Sequence, residues 1–314
     1  MVKLGVIMDP ISSINIEKDT TFAMLLEAKK RCYEIHYMEI KDIFMYKNLA
    51  YANTSLLNVQ KNYKNWYQLD TRRDIKLSDL DIILMRKDPP FDMQYIYTTY
   101  ILEHAEKLGT IIVNKPQSLR DCNEKLYISW FNEFTPNTLV TCDKKKLENF
   151  WIKYDDIIVK PLDNMGGKSV FRLKNKDSNF SVTIESITEN GNVFCTAQEY
   201  IPDIKYGDKR VLLVDGEPVP YCLVRMPKEG EHRANLSAGG HGEVRTLNAN
   251  DLKIAKKIGP ILKNKGLIFV GLDIIGNKIT EINVTSPTGV CQIESAFPIS
   301  ITSMLMDAIE KILR

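Results

Sequence analysis

The stretch Gly271-Leu272-Asp273-Ile274-Ile275-Gly276-Asn277-Lys278-Ile279-Thr280-Glu281-Ile282-Asn283 constrains this chain more than any other. Apolar runs on either side of Gly276-Asn277 predict a β-hairpin. Strand side chains alternate between two faces, so Glu281 and Asn283 share one face, and Asp273 on the neighbouring strand can join them. Two carboxylates about 5 Å apart repel by roughly 3 kcal/mol at an effective dielectric near 20. A buried sheet face tolerates that only with a cation, and hard oxygen donors point to Mg²⁺. Magnesium commonly takes few protein carboxylates and fills its shell with water and substrate phosphates, which is the donor supply found here. The alternative is a solvated outer face of an antiparallel hairpin.

A nucleotide partner is suggested upstream. In Ile158-Val159-Lys160-Pro161-Leu162-Asp163-Asn164-Met165-Gly166-Gly167-Lys168-Ser169, a lysine ends an apolar strand and two glycines follow. The backbone amides of such a turn can cradle phosphates. A P-loop is excluded, because that motif requires glycine where Leu162 stands and a helix where Val170-Phe171-Arg172-Leu173 reads as strand. Gly166-Gly167 alone would be an ordinary hairpin turn, and Lys160 before it favours phosphate. Lys125, in a segment Asp121 to Lys125 expected to open a helix, offers a second ammonium; taken alone it reads as a solvated helix residue. Gln198-Glu199-Tyr200-Ile201 before Pro202 could bracket an adenine ring, with Asp208 accepting ribose hydroxyls. Arg210 and Arg225 adjoin apolar strands, where a charge is costly unless it meets an anion.

The first third has a different texture. Runs Leu4 to Met8, Ile82 to Met85 and Thr110 to Val113 alternate with helical patterns around Phe22, Leu25 and Leu26 and around Ile101, Leu102 and Ala105. This predicts a parallel α/β layer, whose ligands sit beyond the carboxyl ends of the strands, where Asp9, Arg86 and Asn114 stand. A helical stretch Leu119 to Phe131 and a charged segment Lys144 to Lys153 follow. Further strands are expected at Ile157 to Lys160, Ser169 to Leu173, Phe194 to Tyr200, Arg210 to Val214, Pro220 to Arg225, Ile268 to Ile275 and Lys278 to Val284. With hairpin turns at Asp215-Gly216 and Gly276-Asn277 the back half is antiparallel, so the fold class is α/β plus α+β. Pro227 to Gly242, with His232 and His241 in or beside it, reads as a functional loop, suited to act as a lid.

A chain of 314 residues should divide into two or three lobes. Its 42 basic and 40 acidic side chains nearly cancel, to +2, with no basic run interleaved with aromatics. Nucleic acid is therefore not an expected partner. No apolar stretch approaches the ~20 residues that span a bilayer, so no membrane is expected and the cytoplasm is the expected compartment. Six dispersed cysteines without a CxxC pair suggest reduced thiols rather than a disulfide framework, a zinc site or a thioester nucleophile.

In their order along the chain, Lys125, Lys160 with its glycine turn, the Gln198 to Ile201 hinge, Arg210, Arg225 and the Asp273, Glu281, Asn283 triad resemble the ATP-grasp superfamily. Met8-Asp9-Pro10, Leu84-Met85-Arg86-Lys87-Asp88-Pro89-Pro90, Val113-Asn114-Lys115-Pro116 and Glu281-Ile282-Asn283-Val284-Thr285-Ser286-Pro287-Thr288 resemble, more narrowly, the bacterial glutathione synthetase family. Variable surface is expected at Asn48 to Val59 and Lys174 to Ser181.

The resemblance implies an ATP-grasp fold divided into a substrate lobe (1–122), a central lid subdomain (123–200) and a catalytic subdomain (201–314). It implies ATP as co-substrate on Lys125, Lys160, Gly166, Gly167, Gln198, Glu199, Tyr200, Ile201 and Asp208. Mg²⁺, or Mn²⁺ in its place, would sit on Asp273, Glu281 and Asn283. Arg86, Asn114, Ser286 and Thr288 would hold γ-glutamylcysteine, which is joined to glycine through an acyl-phosphate, with Arg210 and Arg225 catalytic. A homotetramer is also implied. The competing readings are an ATP-grasp ligase of another acid and a nucleotide-binding regulator without catalysis.

Overall fold

The computed structural model describes residues 1–231, 233–235 and 239–313. His232 and residues 236–238 of the expected lid loop lie outside the described residues.

The N-terminal layer is built on four parallel strands, Lys3–Ile7, Glu34–Met38, Ile82–Met85 and Ile111–Val113. Helices Thr20–Lys30 and Met93–Glu106 make the crossovers. Each is started by an aspartate, Asp19 and Asp92, whose carboxylate accepts from the backbone amide three residues on and so satisfies one of the free N–H groups of the first turn. The buried runs Leu4–Ile7 and Ile82–Met85 are apolar on both faces, as expected of strands covered on both sides.

Two features of this lobe differ from the sequence reading. Asn48 to Val59 is not surface throughout: Leu49–Val59 is a long strand that buries Ala50, Ala52, Thr54, Ser55, Leu57 and Val59. It carries the antiparallel partners Ile43–Tyr46, Tyr67–Leu69 and Arg73–Lys76. The expected helix Leu119 to Phe131 is also broken. Helix Pro116–Asp121 stops, and a 3-10 turn Tyr127–Trp130 follows. The cause is local: Asn123 Oδ1 accepts from the amides of both Lys125 and Leu126, at 3.1 and 3.0 Å, offering the backbone an alternative to the helix ladder. Lys125 therefore stands in a turn and not in the first turn of a helix.

The back half is antiparallel throughout. A four-stranded sheet runs in the order Phe171–Lys174, Asp156–Pro161, Cys195–Glu199, Thr138–Thr141, with helices Lys144–Tyr154 and Phe180–Ile187 packed over one face around Leu147, Ile157, Val159 and Ile184. A five-stranded sheet runs in the order His241–Thr246, Glu217–Met226, Asp208–Val214, Phe269–Ile275, Lys278–Asn283. The two expected hairpin turns are present, and Asp215 and Gly216 both have positive φ (51° and 81°), as a two-residue turn of the primed type requires. Helix Ala249–Asn264 lies against this sheet, with Asn248 and Asp251 capping each other's backbone. The end of the expected loop Pro227 to Gly242 is strand, since His241 and Gly242 pair with Met226 and Arg225.

Candidate active site

Sheet register creates the site. Arg210 is the direct neighbour of Asp273, and Asp273 of Glu281, so three adjacent strands set these charges in one row. Asn283 pairs with Gly271, two residues before Asp273, which keeps it on the same face. Gly271 is needed there: a Cβ would stand 2.7 Å from Arg210 Cδ, blocking the path of the guanidinium to Asp273. The hairpin also has a register shift after Asp273, leaving Thr280 as the extra residue of a bulge. The carbonyl of Thr280 accepts from Lys160 Nζ at 3.1 Å, bringing a lysine of the other sheet to this edge.

The charges are buried and paired. Arg210 grips Asp273 through Nε at 2.5 Å and Nη2 at 3.0 Å. Arg225 Nη2 is 2.8 Å from the same carboxylate and also bonds Asp208. Lys125 Nζ is 2.7 Å from Glu281 and also bonds the carbonyl of Asn164. Burial alone would raise the Asp273 carboxyl, but Arg210 and Arg225 outweigh it and hold the group well below the ordinary carboxylate range. Asp208, mostly withdrawn from solvent and with its carboxylate hydrogen-bonded only by Arg225 among the described residues, is pushed up by burial to about 6. Its Oδ1 and the Nε of Arg225 are buried without a hydrogen-bond partner among the described residues. Burial pulls the Lys160 ammonium below its usual value, whereas Lys125, similarly buried, is held above it by Glu281 and Glu124.

Two cavities adjoin this row. The first lies between the two antiparallel sheets and is lined by Lys125, Lys160, Gly166, Gly167 and Asp208, with the hinge Gln198 to Ile201 along one side and Asp273 and Glu281 at its end. Gly166 and Gly167 have φ of 67° and 77°, and a Cβ on Gly167 would meet Asn235 Oδ1 at 2.6 Å. The glycine turn thus lies directly under the described part of the 228–241 loop, where Arg233 Nη1 donates to the Gly167 carbonyl at 3.2 Å. The hinge is held by Arg172, whose guanidinium stacks 3.5 Å from the Tyr200 ring centroid while pairing with Asp156.

The second cavity is lined by Arg210, Arg225, Glu281, Asn283, Ser286 and Thr288, and by Asp88, Glu124 and Gln292, to which the sequence reading gave no part. Glu124 is legible only in three dimensions: its Oε1 accepts from the amides of Val284 and Thr285 and from Thr285 Oγ1, fixing the loop after the triad strand. The two cavities share Met165, Gly166, Asn235 and Glu281, so they communicate.

Two expected substrate contacts are elsewhere. Arg86 is buried, with Nε donating to Thr21 Oγ1 and Nη2 to the Pro287 carbonyl, both at 3.0 Å. Asn114 has its amide nitrogen on the carbonyls of Phe269 and Val284 and its oxygen on the Phe269 amide. Neither lines the two cavities; both join the N-terminal lobe to the loop and strand that carry the site.

The donor set fits a magnesium-type cation. Among the described residues no group of three His, Cys, Asp or Glu is placed to hold a metal by itself. Two carboxylates with the amide oxygen of Asn283, whose nitrogen donates to the Gly271 carbonyl at 3.2 Å, are the kind of partial oxygen set that a hard divalent cation would complete with water and phosphate.

The model of the prokaryotic glutathione synthetase N-terminal domain matches residues 2–120, and that of the prokaryotic glutathione synthetase ATP-grasp domain matches residues 124–298. Glutathione synthetase of Salmonella typhimurium is 63% identical over 310 residues, covering 99% of this chain and 98% of the relative. That of Escherichia coli (strain K12) is 62% identical over 310 residues, with the same coverage. Among solved structures, the D-cycloserine synthetase DcsG superposes with a TM-score of 0.69 at 13% identity, covering 99% of this chain and 100% of that one. D-alanyl-alanine synthetase A from Vibrio cholerae superposes at 0.64 and 12%, covering 99% and 98%; at such identities the likeness concerns the fold. With the paired cavities, the row of charges and the match along nearly its whole length, the chain belongs to the prokaryotic glutathione synthetase family and has the ATP-grasp fold.

Proposed function

We propose that the chain joins γ-L-glutamyl-L-cysteine to glycine at the expense of ATP, giving glutathione, ADP and phosphate. The observation that carries this reading is the meeting of two cavities at Glu281 and Gly166 beside the Arg210, Asp273, Glu281 row. A phosphoryl donor in one and an acid in the other can react there without crossing bulk water.

On this reading ATP occupies the first cavity. Its adenine lies along Gln198 to Ile201, its ribose hydroxyls bond the unpartnered Oδ1 of Asp208, and its phosphates lie between Lys125, Lys160 and the amides of Gly166 and Gly167. Asp273, Glu281 and Asn283 would hold Mg²⁺, or Mn²⁺ in its place, and the bound ion would draw negative charge from the phosphate oxygens. Arg210 and Lys125 then give up carboxylates they now occupy and turn towards the phosphoryl group.

The cysteinyl carboxylate attacks the γ-phosphorus in line and ADP leaves, forming an acyl-phosphate. The amine of glycine attacks the acyl carbon, Arg225 stabilises the tetrahedral oxyanion, and phosphate departs as the nitrogen loses its proton. Ser286 and Thr288 hold the dipeptide, while Arg86 and Asn114 position the loops around it. Because an acyl-phosphate is hydrolysed readily, water must be kept out, a role for the loop containing Arg233 and Asn235.

The division into a substrate lobe (1–122), a lid subdomain (123–200) and a catalytic subdomain (201–314) suits this mechanism. A homotetramer in the cytoplasm accords with the family resemblance, and no described helix is long and apolar enough to cross a membrane.

The test is ADP release by the purified protein with Mg-ATP, γ-glutamylcysteine and glycine, omitting each in turn and identifying the product by mass. Release that requires all three, with glutathione formed, is the expected result. Turnover only with another acid would discard the substrate, and ATP binding without turnover would discard catalysis.

A further inference from the structure

Asp88 is a carboxylate on the wall of the second cavity that the mechanism above does not use. It follows strand Ile82–Met85 of the N-terminal lobe, and its amide donates to Asp9 Oδ2 at 3.0 Å. Its Oδ1 accepts from Ser286 Oγ, while Oδ2 has no hydrogen-bond partner among the described residues. Neither neighbouring cation pairs with it: Lys87 Nζ is 2.9 Å from Asp9, and the buried Arg86, whose charge Asp88 feels, gives its hydrogen bonds to Thr21 and Pro287. A half-buried carboxylate without an ion pair, facing a cavity and steadied by one hydroxyl, is arranged to receive a cation.

Resting on the reading of this site as a γ-glutamylcysteine site, we propose that Asp88 binds the α-ammonium of the γ-glutamyl end and is the residue that selects this acid. Length supports the assignment. From the α-nitrogen to the cysteinyl carboxylate the dipeptide has seven bonds and extends about 9 Å. From Asn283, beside the reacting end, to Ser286, which bonds Asp88, the chain reaches at most about 10 Å. An acid whose carboxylate lies at the triad is therefore long enough to bring its far ammonium to Asp88. The hydroxyl of Thr288, on the same wall, is placed for the α-carboxylate, while that of Ser286 holds Asp88. Two further carboxylates line this wall: Glu281 is paired with Lys125, and Glu124, whose Oε1 is bound by two amides and a hydroxyl, stands beside that lysine at the reacting end. The amine of glycine is excluded as the ligand of Asp88, because it must reach the acyl carbon at that same end.

The experiment compares kcat/KM for γ-glutamylcysteine and for glutaryl-cysteine, the same acid without its α-amine, in the wild-type enzyme and in Asp88→Asn. The asparagine oxygen still accepts from Ser286, so the loop contact is kept. The wild type should prefer γ-glutamylcysteine by roughly 10²-fold or more. Asp88→Asn should lose about 10²-fold on γ-glutamylcysteine, mostly in KM, while staying within about 3-fold on glutaryl-cysteine. Equal losses on both acids, or none on either, would overturn the inference. Retained ATP binding by calorimetry shows that the variant is folded. Should it not fold, a wild-type preference below about 5-fold would by itself overturn the assignment. Wild-type enzyme that turns over neither acid would instead count against the proposed function.

Discussion

The guanidinium of Arg225 lies 2.8 Å from the carboxylate of Asp273, and both side chains are almost wholly withdrawn from solvent. Asp273 keeps a second partner, Arg210, when Arg225 is removed, so the carboxylate is not left bare. Arg225→Ala should lower kcat by about 10²- to 10³-fold, the usual consequence of losing one oxyanion donor, while ATP still binds. Steady-state turnover at saturating substrates, with ATP affinity measured separately, checks this; near-normal turnover would remove Arg225 from the chemistry.

Lys160 meets the site at the hairpin bulge, where its ammonium donates to the carbonyl of Thr280. Burial holds its ammonium below the ordinary lysine value, a cost offset once phosphate oxygens surround it. Lys160→Met keeps the stem and removes the charge. The KM for ATP should rise about 10- to 100-fold, the worth of a charge-assisted hydrogen bond, with little change in the KM for the dipeptide. A rise confined to the dipeptide would place Lys160 on the wrong cavity.

Much of this was readable from sequence wherever a short-range rule decides the outcome. The period of two puts Glu281 and Asn283 on one face, the Gly276-Asn277 turn sets Glu281 beside Asp273, and the Asp215-Gly216 turn sets Arg225 beside Asp208. Lys125 was misplaced on a helix because its neighbour Asn123 competes for the backbone amides, which apolar periodicity does not register. Arg86 and Asn114 were rightly put at strand ends, but their partners, Pro287, Phe269 and Val284, are more than 150 residues away. A contact of that range has no local signature, and neither does the use of Glu124 or Asp88.

His36, on the second strand of the parallel layer, is buried between Glu34 at 2.9 Å and Thr54 at 3.4 Å. Burial lowers its pKa from the ordinary 6.5, more than Glu34 raises it. Below pH 6.5 the unfolded chain therefore binds a proton that the folded chain resists, so this residue costs stability as pH falls through that window and nothing above it. His36→Gln should flatten the fall in urea midpoint on acidification below pH 6.5 relative to the wild type. Parallel profiles would mean that the imidazole takes up its proton as readily in the fold as in the unfolded chain.

Gly259 stands within helix Ala249–Asn264, where glycine is normally about 1 kcal/mol worse than alanine. On propensity alone Gly259→Ala would stabilise the protein. Here, however, the added Cβ would lie 1.9 Å from the carbonyl oxygen of Gly216, and a backbone atom cannot turn aside as a side chain can. Gly216 is itself fixed by its hairpin turn at φ 81°, and Lys263, one helical turn on, pairs with Asp215 at 2.7 Å. Helix and turn would have to separate, opening the packing of Ile254, Ile258 and Leu262 against the sheet. The steric loss should exceed the propensity gain, giving a net destabilisation of about 2 to 3 kcal/mol in urea unfolding. A gain near 1 kcal/mol would mean that the helix can shift along the sheet without disturbing its core.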